Sequence, residues 1–188
     1  MRYFVGFLIT MGLIILLIVL IFGGGGKKNE VPTTSKPLTS YVDTDSEVSM
    51  TVSGPINAES QHQEYRITVD RNNVTFEKIR GYEGNVVQLK TYDNNRSAYN
   101  NFLHALDRAN FTSGDNNKDL ADETGLCPLG SRYVFKLTQG GQDLERYWAT
   151  TCQGTKTYLG NFQLTTTLFN LQVPDFQDLT RDFQPATG

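Results

Sequence analysis

Few side chains in this 188-residue chain are suited to chemistry: it carries two cysteines, Cys127 and Cys152, and two histidines, His62 and His104. A zinc centre takes four ligands at recognisable spacings. Neither histidine stands at such a spacing from either cysteine, and the thiols do not form a C-x-x-C redox motif. A general base needs a nucleophile within hydrogen-bond reach, and no G-x-S-x-G elbow supplies one. Asp115, Asn117 and Asp119 set oxygens at the first, third and fifth positions of a calcium loop. The pattern then fails, because Leu120 stands where the sharp turn needs glycine and Leu126 where the closing glutamate belongs. A solvated acidic loop is the expectation there. No catalytic residue, metal ligand set or cofactor site is expected, and the chain reads as a non-enzyme.

The cysteines are best understood through the hairpin around them. Residues 132–137 (RYVFKL) and 144–152 (LERYWATTC) read as strands, with Gly140-Gly141 between them as a turn signal. Pairing across that turn sets Leu137 opposite Leu144, Tyr133 opposite Trp148, and Cys127 diagonal to Cys152. Diagonal neighbours lie about 7–8 Å apart, slightly too far for a bridge. One bulge, or Pro128 turning the chain, closes the gap. A structural disulfide is therefore expected, with two reduced buried thiols or half a metal site as alternatives. Of the aromatic residues around this hairpin, Tyr133 and Trp148 fall on the leucine face and read as core. Tyr147 and Tyr158 remain as candidates for a binding surface, together with Leu126, Pro128 and Leu129 in the loop beside Cys127. A proline-stiffened, disulfide-flanked loop is preorganised, which lowers the entropic cost of binding. Residues 126–130 could thus serve a protease inhibitor.

The elements that position these groups follow from periodicity. Residues 47–52, 64–70, 74–80 and 85–92 alternate apolar and polar and are separated by Gly, Pro and Asn clusters, the mark of an antiparallel meander. Tyr99, Phe102, Leu103, Leu106 and Ala109 then follow a helical period, predicting an amphipathic helix over 96–110 capped by Asn94 or Asn95. Residues 112–124 are polar loop. A short strand over 155–159 is possible, and Leu164, Leu168 and Leu171 predict a second helix over 162–171, capped by Asn161 and stopped by Pro174. The predicted fold is α+β: an antiparallel sheet, made of a meander plus a C-terminal hairpin, with two helices on one face.

Ahead of this domain, residues 3–22 (YFVGFLITMGLIILLIVLIF) contain no charge. Twenty helical residues span about 30 Å, the thickness of the hydrocarbon core. Residues 1–22 therefore read as an uncleaved transmembrane signal-anchor, longer than the apolar region of a cleavable signal peptide. Residues 23–46 are rich in Gly, Pro, Ser and Thr and read as a flexible linker. Residues 47–188 form the domain. They carry 13 Lys and Arg against 17 Asp and Glu, a net −4, without the basic footprint that nucleic-acid binding needs. The charges flanking the apolar run are balanced, Arg2 and the N-terminal amine on one side and Lys27 and Lys28 on the other. Orientation thus falls to the cysteines: disulfides persist in oxidising compartments, which puts the domain outside the cytoplasm.

Cys127-Pro128-Leu129-Gly130-Ser131-Arg132-Tyr133, Trp148-Ala149-Thr150-Thr151-Cys152 and Leu168-Phe169-Asn170-Leu171-Gln172-Val173-Pro174 together resemble a pattern in uncharacterised single-anchor proteins of small-genome candidate-phylum bacteria. The resemblance implies a cell-surface setting and no assigned activity. The order of strands and helices also resembles emfourin-type metalloprotease inhibitors, in element order alone. The functional expectation is a membrane-anchored, extracytoplasmic module binding a protein, peptide or envelope polymer. A protease inhibitor and an envelope enzyme are the alternatives.

Overall fold

The computed structural model describes residues 36–154 and 156–183. The expected membrane helix, the linker as far as residue 35, and Thr155 of the expected short strand lie outside them. Among the described residues no helix is long and apolar enough to cross a membrane.

Alternation builds the sheet. In β1 (Ser46–Ser53) Val48, Met50 and Val52 are buried, and in β2 (Gln63–Asp70) Tyr65, Ile67 and Val69 are. In β3 (Asn73–Arg80) Val74 and Phe76 continue the same face. Residues two apart in a strand share a face, so these side chains form one apolar floor. β4 (Asn85–Asp93), β5 (Arg132–Gln139) and β6 (Gln142–Thr150) complete a six-stranded antiparallel sheet in the order β4-β3-β2-β1-β5-β6. The meander and the hairpin are thus joined through β1 and β5.

Helix α1 (Arg96–Arg108) buries Tyr99, Phe102, Leu103 and Leu106 on that floor. Its N-cap is Asn95, whose Oδ1 accepts from the backbone N–H of Ala98 at 3.0 Å. Helix α2 (Phe162–Asn170) is capped in the same way by Asn161 and adds Phe169, which packs edge-on to Phe102 with centroids 5.3 Å apart. Tyr133, Phe135, Phe162 and Tyr158 extend the aromatic core over the hairpin.

The structure departs from the sequence reading in five places. The first is the linker. Its last part belongs to the fold: a short 3-10 turn (Leu38–Tyr41) places Leu38 and Val42 in the core against α1. Asp43 also forms a two-pronged ion pair with Arg96 at the start of α1. The second is the hairpin register. Gln139 pairs Gln142 and Thr138 pairs Asp143, as the glycine turn requires, but the register then slips by one residue so that Leu137 pairs Glu145 and Val134 pairs Trp148. A one-residue slip exchanges the faces of everything beyond it. Tyr147 therefore joins the core with Tyr133, and Trp148 is buried on the opposite face, its Nε1 donating to the carbonyl of Leu120 at 2.6 Å.

The third departure concerns α2. Thr165 and Phe169 face the core, while Leu164 and Leu171 point outward, Leu171 being 73% exposed. Thr165 is accepted inside because its hydroxyl meets that of Tyr158 at 2.6 Å. The fourth is a short helix past Pro174, α3 (Phe176–Leu179), which the sequence reading did not anticipate. It brings Phe176, Leu179 and Phe183 onto Tyr65 and the core. In place of the expected strand over 155–159 there is an isolated bridge between Gly114 and Tyr158.

Candidate functional site

The cysteines are joined. Cys127 and Cys152 form a disulfide with Cα atoms 5.6 Å apart, at the end of the sheet where β1 and β6 finish and β5 starts. Cys127, Pro128, Leu129 and Gly130 make a tight turn in which the Gly130 N–H donates to the Cys127 carbonyl at 3.0 Å. Proline's fixed φ suits the second position of such a turn. That leaves Leu129 at its third position, at the apex. Cys127 has φ +51, a left-handed conformation that a non-glycine residue holds only when its surroundings fix it.

Those surroundings are specific. A Cβ on Gly130 would lie 2.3 Å from Cys127 Sγ and 2.5 Å from Thr151 Oγ1, so only glycine fits beneath the disulfide. Ser131 and Thr151 tie the two chain segments: the Thr151 N–H donates to the Ser131 carbonyl, and the Ser131 N–H to Thr151 Oγ1, both at 3.0 Å. The buried guanidinium of Arg132 donates to the carbonyls of Gly54 at 2.9 Å and Leu126 at 3.4 Å. The Ile56 N–H donates to the Pro128 carbonyl at 2.8 Å. The turn is thus locked to the loop that follows β1.

That second loop has its own anchor. His62, which the sequence offered only as a loop residue, is buried and stacks on Tyr82 with centroids 4.0 Å apart. Its Nδ1 faces the Pro55 carbonyl at 3.3 Å. The Tyr82 hydroxyl donates to the Asn57 carbonyl at 2.9 Å, and Tyr82's N–H donates to Glu59 Oε1 at 2.9 Å. No local pattern announced this stack, because its partners come from separate loops.

What the site presents is apolar. Leu129 is 81% exposed, Leu126 and Ile56 are each 41% exposed, and Pro128 is exposed beside them. Three of the expected surface residues, Leu126, Pro128 and Leu129, therefore stand together, with Ile56 as a neighbour the sequence reading missed. The other two do not join them. Tyr147 is 3% exposed and Tyr158 is 1% exposed; both are core residues, Tyr147 because of the register slip and Tyr158 because it packs on Phe135. Burial pushes the Tyr158 phenol up to about 12, against the opposing effect of its bond to Thr165. It also raises that of Tyr147, with help from Glu145.

The remaining chemical candidates stay apart from this site. Ser53 and His62 both approach Glu64, but the Ser53 hydroxyl donates to Glu64 Oε2 at 2.7 Å while His62 Nε2 lies 4.0 Å from the same oxygen. The hydroxyl is therefore bonded to the carboxylate rather than to a base that could activate it. His104 is exposed on α1, in a shallow groove shared with Arg108, Leu164 and Leu168. Asp115 and Asn117 turn their oxygens onto backbone N–H groups two residues further on. At the opposite end of the sheet, Asp43, Asp45, Glu47 and Asp70 line a cleft that Arg71 also borders. Among the described residues no group of three His, Cys, Asp or Glu is arranged to hold a metal ion.

Fold and site together define a small α+β domain, a six-stranded antiparallel sheet that holds out a disulfide-pinned apolar turn. No protein-family model matches the chain, and no curated protein matches it either.

Proposed function

We propose that this chain is a single-pass membrane protein, anchored by residues 3–22, whose domain lies outside the cytoplasm. There it binds a protein, peptide or envelope polymer through the turn at Cys127–Gly130. The observation that carries the reading is Leu129, 81% exposed at the apex of a turn fixed by a disulfide and by Arg132. A large apolar side chain held rigidly in water is a ready binding anchor, because little ordering entropy remains to be lost on contact. The setting outside the cytoplasm is supported by the disulfide, since such bonds persist in oxidising compartments.

A protease inhibitor using residues 126–130 is the second reading, favoured by the same rigidity. A substrate-like inhibitor offers an extended segment, in the manner of strand addition. The closed Cys127–Gly130 turn is better suited to entering a recess, so a general binding module is preferred.

Two experiments test the proposal. In intact cells given a membrane-impermeant reductant, an equally impermeant thiol reagent is expected to label Cys127 and Cys152. Labelling only after the membrane is broken would place the domain on the wrong side for this reading. Burying a leucine is worth about 2 kcal/mol, so Leu129→Asp is expected to weaken partner capture by roughly 30-fold or more. Undiminished capture by a folded Leu129→Asp variant would remove the turn from the account.

A further inference from the structure

The Cys127–Cys152 bond lies at the rim of the fold. Neither cysteine belongs to the apolar core. β5 and β6 are held by their own register, from Arg132 opposite Thr150 onward. Just past that pair, the Thr151 N–H donates to the Ser131 carbonyl and the Ser131 N–H to Thr151 Oγ1. The strands therefore stay paired without the disulfide. What it holds in the native state is the turn that carries Leu129. Cys127 keeps its left-handed backbone, φ +51, only while its surroundings fix it. The Gly130 N–H that closes the turn donates to the carbonyl of that same residue.

The two sulfurs are unlike. Cys127 is half-buried and Cys152 is exposed. Cys127 Sγ sits over Gly130, where a Cβ would come within 2.3 Å of it. On its other side the Thr151 hydroxyl faces it at 3.9 Å. A disulfide sulfur carries no hydrogen, so Thr151 is the donor there, while its oxygen accepts from the Ser131 N–H. In thiol–disulfide exchange a thiolate attacks one sulfur and expels the other, and the rate follows access to the first and the acidity of the second. Access selects Cys152 for attack. A hydroxyl aimed at Cys127 favours its anionic form, which selects Cys127 as the leaving group. Exposed disulfides are the labile and regulatory ones.

We propose that the Cys127–Cys152 bond is a reducible latch on the turn, opened by a dithiol through attack at Cys152. A thiolate of the dithiol attacks Cys152 Sγ and forms a mixed disulfide. The Cys127–Cys152 bond breaks, and Cys127 leaves as a thiolate that takes a proton from water. The second thiolate of the dithiol then attacks the dithiol's own sulfur in the mixed disulfide. Cys152 leaves and is protonated in turn. The dithiol is oxidised to its disulfide, and the two electrons reduce the protein's bond to two thiols. Cys127 is then free to leave its left-handed conformation, and the bond from the Gly130 N–H goes with it. Leu129 is no longer held out, so opening the latch ends the binding assigned to the turn. That consequence rests on the function proposed above; the exchange chemistry and the release of the turn do not.

The test uses the purified full chain. Glutathione, a monothiol, is added, the reaction is stopped early with iodoacetamide, and the adducts are mapped by mass. Glutathione on Cys152 with alkyl on Cys127 is expected to exceed the reverse by about tenfold or more. Thr151→Val is expected to slow reduction by dithiothreitol about fivefold and to shift alkylation of Cys127 in the reduced chain to higher pH; Thr151→Ser is expected to restore both. After full reduction, the Gly130 and Ile56 N–H groups are expected to lose hydrogen-exchange protection, while Phe102 and Leu103 in α1 keep theirs. Equal adducts on the two cysteines, or more on Cys127, would overturn the exchange chemistry. A Thr151→Val chain reduced at the unsubstituted rate would remove Thr151 from it. Unchanged protection at Gly130 and Ile56 would overturn the latch. A released turn with undiminished partner capture would instead overturn the binding role of Leu129 and leave the latch standing.

Discussion

Breaking the Cys127–Cys152 bond should cost the domain a measurable share of its stability. The cysteines are 25 residues apart in sequence, and in the chain-entropy treatment closing such a loop stabilises the fold by about 3.5 kcal/mol. An offset comes from Cys127 itself. Its left-handed backbone, φ +51, stores about 1 kcal/mol, which the reduced chain regains if the turn relaxes. The expected net loss is therefore about 2.5–3.5 kcal/mol. For a domain of this size that corresponds to a fall in Tm of roughly 5–14 °C. Cys152 is exposed, so reductant has direct access to the bond. The assay is thermal unfolding followed by circular dichroism, with and without reductant, alongside the Cys127→Ala, Cys152→Ala double variant. A fall of less than 2 °C with reduction verified by mass would refute the reasoning. It would mean that the hydrogen bonds of Arg132, Ile56 and Thr151 already hold the turn.

Three further outcomes follow from the same geometry. Gly130→Ala forces a methyl against Cys127 Sγ and Thr151 Oγ1; overpacking of this kind costs about 1–3 kcal/mol, and the loss is expected to shrink in the cysteine-free background, as a double-mutant cycle in urea would read. Asn95→Ala removes the oxygen that caps α1 at Ala98 and is expected to lower stability by about 1 kcal/mol, which equilibrium unfolding checks; no change would mean another group caps the helix. Hydrogen bonds from Lys90 and Tyr92 lower the pKa of Asp175, and the bond from Lys78 lowers that of Asp182. Carboxylates held below their ordinary value stabilise the fold above it, and that contribution is lost as pH falls from about 4 through the lowered value. Residues 176–183 are therefore expected to lose hydrogen-exchange protection at pH 3 relative to pH 6, with a smaller change in Asp175→Asn; equal protection at both pH values would contradict this.

The parts of the fold legible in the sequence are those set by local periodicity. Val48, Met50 and Val52, or Tyr99, Phe102, Leu103 and Leu106, reveal their buried face without help from distant residues. The disulfide was legible because Gly140-Gly141 fixes the hairpin that carries both cysteines near one another. The slip beyond Leu144 was not legible, since a single extra residue leaves no mark in the alternation yet exchanges Tyr147 with Trp148. Nor was the inward face of α2, where a threonine bonded to Tyr158 takes a place that composition would give to leucine. Leu38 and Val42 looked like strays in a polar linker because their partners lie far along the chain. At the candidate site, Leu126, Pro128 and Leu129 followed from their place beside Cys127, whereas Ile56 joined them only through a backbone bond to Pro128. The apolar span at residues 3–22 rests on its composition alone.

The proposed function turns on which exposed leucine makes contact with a partner. Leu129 and Leu171 are 81% and 73% exposed, one on the disulfide-pinned turn and the other past the end of α2. A photoreactive side chain placed at either position in the anchored chain, and illuminated on intact cells, compares them directly. The proposed function predicts a discrete adduct from position 129 and none from position 171. An adduct from position 171 alone, or none from either, would contradict it.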